Sequence, residues 1–182
     1  MEITLRRHPR ASGHMPHITL ARGIGWGLMG GLAGTLVMDL VLMGALSAAG
    51  VPALTCFSIV GNTVARFFST LGIETAGGIP LGAAAHYLIG PLVGAIFGAA
   101  VAQIAALQVE TLKKGIVLAI LYVEILSQPI LATTPILLKM TARETLQWFN
   151  VSFVMHFILA VVLGAIVSYG LRLATTAKPG RS

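Results

Sequence analysis

Five side chains able to bind, ionise or coordinate stand inside long apolar stretches: Asp39, His86, Glu124, Gln128 and His156. An ionisable group at the centre of a membrane span costs on the order of 2.5 to 3.5 kcal/mol on insertion scales, so each needs a physical reason to be there. Three chemistries suit such a set. The first is interhelical hydrogen bonding worth roughly 0.6 to 2 kcal/mol a bond. The second is a relay or coordination path for protons or ions, with Asp39, Glu124 and the histidines as carriers. The third is a metal or haem held by His86 and His156. Structural bonding is the leading expectation, and no cofactor is required by it.

Positions four apart share a helical face, so spacing shows where these groups point. His86 lies in the row Gly82, His86, Gly90, Gly94, Gly98, Ala102, and His156 in the row Ser152, His156, Ala160, Gly164, Ser168. Small residues in rows let membrane helices approach closely, which turns both histidines toward protein. Earlier in the chain, Gly23, Gly27 and Gly31 form overlapping GxxxG pairs, as do Gly30 and Gly34. With a rise of about 1.5 Å per residue, both histidines fall roughly 6 to 9 Å inside one membrane surface, and Asp39 and Gln128 about 15 Å inside it. Glu124 is deeper. A cluster in one half of a bundle is the expectation.

Which elements carry these rows? The chain has 182 residues, 56% hydrophobic and 10% charged, with a mean hydropathy of +0.89. A soluble domain averages roughly 25% charged residues. Four apolar segments, at about 24–49, 81–107, 115–138 and 146–173, are each long enough to cross a bilayer. The fold class expected is therefore an all-α membrane protein, a four-helix up-and-down bundle. The first segment is too long for a signal-peptide core and contains Asp39. Between the first two, residues 56–71 place Phe57, Val60, Val64, Phe67, Phe68 and Leu71 on one face. That pattern reads as an amphipathic helix on the membrane surface, or as a lid packed over the bundle.

Pro129 frees the carbonyl of Ile125 and Pro135 that of Leu131, which gives either plain kinks or acceptors for a further donor. Thr141 followed by Glu144 is a capping box that starts the last helix near Ala142, with Trp148 at the interface.

Residues 1–22 form a basic arm containing His8, His14 and His17, and residues 174–182 a polar tail. Nine of the twelve Lys and Arg fall in the arm, the turn at Lys113 and Lys114, and the tail taken together with Arg172. The positive-inside rule then places both ends in the cytoplasm. The net charge of +6 is read as topology and headgroup contact, with no nucleic-acid motif accompanying it. The lone Cys56 forms no intrachain disulfide. No soluble-enzyme motif is present. The expected partners are the lipid bilayer and, through glycine-rich faces, a second copy or a larger membrane complex.

Over about residues 82–173 the order of features resembles the YagU-like family of bacterial inner-membrane proteins. The segments that carry it are Ala85-His86-Tyr87 with Phe97-Gly98, then Gln128-Pro129 with Thr134-Pro135, then Asn150 through His156. The first span and its following loop depart from that pattern. The resemblance implies a bacterial inner membrane and four helices, and brings no reaction or catalytic residues.

Overall fold

A computed structural model describes residues 19–176, with side chains as far as 172. The basic arm and the polar tail therefore lie almost wholly outside the described residues. Among the described residues the regular structure is all helical: α1 (Leu20–Ala48), α2 (Thr55–Thr70), α3 (Ile79–Gln103), α4 (Leu112–Leu131), α5 (Thr133–Leu138) and α6 (Ala142–Thr176). Four rods are long and apolar enough to cross a membrane: α1, α3, α4 continued into α5, and α6 as far as Arg172.

Glycine rows decide how the rods pack. On α1, Gly23, Gly27 and Gly31 press against the carbonyls of Gly98, Gly94 and Gly90 on α3, so the two backbones run antiparallel in contact. Gly30 and Gly34 lie on the neighbouring face of α1 and meet Leu163 and Leu159 of α6. Gly164 of α6 in turn rests on Gly115 and Ile116 of α4. The resulting neighbour order is α3, α1, α6, α4, and the core follows it: Met38, Phe97, Val101, Val123, Leu159, Leu163 and Val167 are all buried. A side-chain methyl at most of these glycines would overlap backbone, which is why apolar helices of ordinary composition would stand further apart.

In this order α3 and α4, though consecutive long helices, sit at opposite ends. They touch where Tyr122 donates a hydrogen bond to the Val93 carbonyl at 3.0 Å and stacks obliquely on Phe97, with ring centroids 5.4 Å apart. Toward the α5 end they diverge.

The third rod is not one helix as its hydropathy suggests. It breaks at Ala132, between α4 and α5, because Pro129 and Pro135 flank that point and neither supplies a backbone donor. The Leu131 carbonyl that Pro135 frees accepts a hydrogen bond from the Trp148 indole at 3.1 Å. A side-chain donor from α6 thus replaces the missing backbone N–H, and Trp148 is committed to the protein by it. The second rod ends at Gln103 rather than Leu107, with a single 3-10 turn at Ala105–Leu107 after it.

The start of α6 shows the reciprocal cap that its sequence encodes. Glu144 accepts from the Thr141 backbone at 2.7 Å, while the Thr141 hydroxyl accepts from the Glu144 backbone at 3.3 Å.

Helix α2 crosses the end of the bundle as a lid. Gly61 of α2 meets the Gly78 carbonyl, and Gly82 of α3 meets the Phe57 carbonyl of α2, which closes the lid against the start of α3. Its other flank reaches α5, where the Thr63 and Thr134 hydroxyls hydrogen-bond at 3.3 Å. The Asn62 side chain accepts from the Gly78 backbone at 2.9 Å and fixes the turn into α3.

Candidate binding cavity

Because α3 and α4 diverge beneath this lid, a cavity of about 620 Å³ opens between them. That volume lies in the roughly 300 to 1,000 Å³ range of small-molecule sites. Its floor is Thr35, Met38 and Leu42 of α1, its roof is the Cys56, Val60, Thr63 and Val64 face of α2, and α6 closes its back with Ser152, Met155 and His156. The lining is overwhelmingly apolar. The exposed lining residues are apolar, with Phe67 of α2, Ile89 of α3 and Ile130 of α4 50%, 48% and 54% exposed, so the rim of the cavity is greasy.

The five chemistry-bearing residues separate into two groups. Asp39 and His86 form a pair, with His86 Nδ1 2.9 Å from Asp39 Oδ1, and His86 lines the cavity together with His156. Helix register explains the pairing. Gly31 opposes Gly90, so one turn on, Thr35 comes level with His86. Side chains lean toward the N-terminus of their own helix, and on antiparallel helices that tilts His86 and Asp39 toward each other. Phe57 of the lid meets the His86 ring edge-on at a centroid distance of 5.2 Å and holds its plane.

His156 is held differently. Its Nδ1 lies 2.7 Å from the Ser152 carbonyl. A carbonyl oxygen only accepts, so Nδ1 carries the proton and donates it. The two imidazoles are within electrostatic reach of each other. Neither Nε2 has a hydrogen-bond partner among the described residues.

Glu124 and Gln128 stand apart from this group. Gln128 Nε2 donates to Glu124 Oε2 at 2.8 Å, one turn along α4, and neither residue lines the cavity. Val123 and Ser127, their neighbours in sequence, face it instead. The expected single cluster is thus divided: His86 and His156 line the cavity, Asp39 is bonded to His86 without lining it, and Glu124 and Gln128 form a separate intrahelical pair on α4.

Among the described residues, four buried side-chain polar atoms lack a hydrogen-bond partner of normal geometry: Thr35 Oγ1, Asp39 Oδ2, Glu124 Oε1 and Ser127 Oγ. Thr35 and Ser127 belong to the cavity wall. The Tyr87 phenol adjoins the Asp39 carboxylate from the α3 side. The Thr35 and Ser127 hydroxyl oxygens are themselves shut off from the cavity, and that of Thr35 is turned against Gly90 of α3. Spacing held a signal for Thr35 that glycine-pair counting missed. Gly23, Gly27, Gly31, Thr35 and Asp39 make one uninterrupted four-spaced row. Ser127 carries no such signal, since only the break after α4 decides which face of that helix meets the cavity.

Cys56 sits at the lid end of the cavity as a free thiol. Burial, aided by the Asp39 charge, pushes its pKa up to about 12. Only the thiolate attacks maleimides and haloacetamides, so labelling at pH 8 should be far slower than for an exposed cysteine. The rate is expected to rise about tenfold per pH unit through pH 10, whereas an ordinary thiol levels off near pH 9. Stopped-time labelling read by mass spectrometry checks this, and a plateau near pH 9 would place the thiol in water.

No family model, curated protein or solved structure matches this chain.

Proposed function

We propose that this chain spans a bacterial inner membrane four times as an up-and-down bundle, with both ends in the cytoplasm, and binds one lipid-soluble small molecule in the cavity beneath α2. The carrying observation is the cavity itself, apolar along its length, polar at isolated points, and rimmed by exposed apolar side chains. A ligand arriving from water would meet a mouth of exposed isoleucine and leucine. One arriving from hydrocarbon passes from one apolar surroundings to another, and loses nothing at the rim. Support for the topology comes from the positions of nine of the twelve basic residues.

Conduction of protons or ions is less well supported, because it needs titratable groups linked from one end to the other. Here Asp39, His86 and His156 gather under the lid, while Glu124 is bonded to Gln128 outside the cavity. A second reading has one observation in its favour. Histidines that bind metals or haem at Nε2 usually donate Nδ1–H to a carboxylate or a carbonyl, as His86 and His156 are placed to do. Such a protein would purify coloured or with stoichiometric metal.

Native mass spectrometry of protein released from detergent tests the main reading. One small apolar molecule per chain is expected on the wild type. It should be lost from Val60→Trp, which fills the roof, in protein whose helical content is unchanged. Equal occupancy of the two proteins would overturn the assignment to this cavity.

A further inference from the structure

The proposed cavity also carries information about the head of its ligand, and this inference rests on that reading. An apolar wall accepts any tail of fitting volume, so selection falls to the polar atoms without protein partners. The wall offers hydroxyls, that of Ser152 among them, and the Nε2 atoms of His86 and His156, neither of which has a hydrogen-bond partner among the described residues.

The hydroxyls do not discriminate, because each both donates and accepts. His86 does not discriminate either. Its Nδ1 faces a carboxylate, so Nε2 accepts when Asp39 is ionised and the ring neutral, and donates when the pair holds one more proton. His156 is different. Its Nδ1–H is fixed on the Ser152 carbonyl, and in the uncharged ring Nε2 is then an acceptor and nothing else. A ketone, ether or ester oxygen brought to it would set lone pair against lone pair.

We propose that the molecule bound here is an apolar alcohol, whose hydroxyl donates to His156 Nε2. The class covers isoprenoid alcohols and the reduced, hydroxyl-bearing forms of lipid-soluble carriers, and it leaves out their methylated and carbonyl forms.

The test compares two probes that share every carbon of their tails, farnesol and farnesyl methyl ether. Purified full-length protein in nanodiscs is loaded with tritiated farnesol and competed with each unlabelled compound. The ether is expected to compete at least tenfold more weakly, since a site built for a hydroxyl leaves its own polar groups unpaired against the ether. In His156→Phe the two compounds should compete within about twofold of each other. In His156→Gln, which retains an acceptor oxygen at similar reach, the preference should persist. Saturable binding of farnesol with equal competition by both compounds in the wild type overturns the alcohol assignment and leaves the cavity reading in place. Absence of saturable farnesol binding, in protein that nevertheless carries its own co-purified ligand, also overturns it. Absence of both removes the cavity reading as well.

Discussion

Gly27→Ala is expected to destabilise the bundle by about 2 to 4 kcal/mol, while Gly25→Ala, two residues away on the same helix, stabilises it by about 0.5 to 1 kcal/mol. The two substitutions add the same methyl group to the same apolar helix, so propensity favours both equally. What separates them is the far side of the methyl. At Gly27 it would overlap the carbonyl of Gly94, a backbone atom that cannot rotate away. At Gly25 it meets nothing within 4 Å. Gly94→Ala should repeat the effect of Gly27→Ala from the opposite helix, because the contact there is with the Gly27 carbonyl. Reversible unfolding in mixed detergent micelles, followed by circular dichroism, measures the difference. Effects of the same sign at Gly25 and Gly27 would mean that α1 and α3 do not touch along this row.

That interface was largely legible in the sequence. Hydropathy delimits the four rods, and four-spaced glycines mark the faces along which they meet. The histidine rows also turned toward protein as their spacing required. Less legible was which helix each row would meet. Gly30 and Gly34 differ from Gly27 and Gly31 by one helical step of about 100°, yet one pair faces α6 and the other α3. Partner choice depends on how three helices share α1, which no single segment encodes. The divergence of α3 from α4 was hidden for a related reason. It follows from the neighbour order and from the break at Ala132, where Trp148 supplies the donor that Pro135 removes. Glu124 was assigned to the cluster on depth alone. Depth fixes a position along the helix axis but not around it, and around the axis Ser127 rather than Glu124 turns inward.

The pair at the cavity edge gives the other large expected effect, and one whose asymmetry is informative. Asp39 is only 3% exposed, and its second oxygen already lacks a partner of normal geometry. His86→Ala removes the donor to its first oxygen and leaves a buried carboxylate with no hydrogen bond from the imidazole, which should cost about 3 to 5 kcal/mol. Asp39→Ala leaves instead a single imidazole N–H beside an accessible cavity, at about 1 to 3 kcal/mol. The double variant Asp39→Ala, His86→Ala removes both needs at once, so it should be less destabilised than the sum of the singles by about 2 kcal/mol. Asp39→Asn, which keeps an acceptor oxygen of the same shape, should lie closest to the wild type. The four proteins unfolded under one detergent condition provide the cycle. Strict additivity would show that the two side chains are neighbours without a bond, and the polar edge of the cavity would then rest on His156. A coupling of the expected size has a further consequence, because a histidine anchored through Nδ1 keeps Nε2 aimed at one place whether or not a ligand is there. The recognition geometry would then be built before binding, and the ligand would not have to order it.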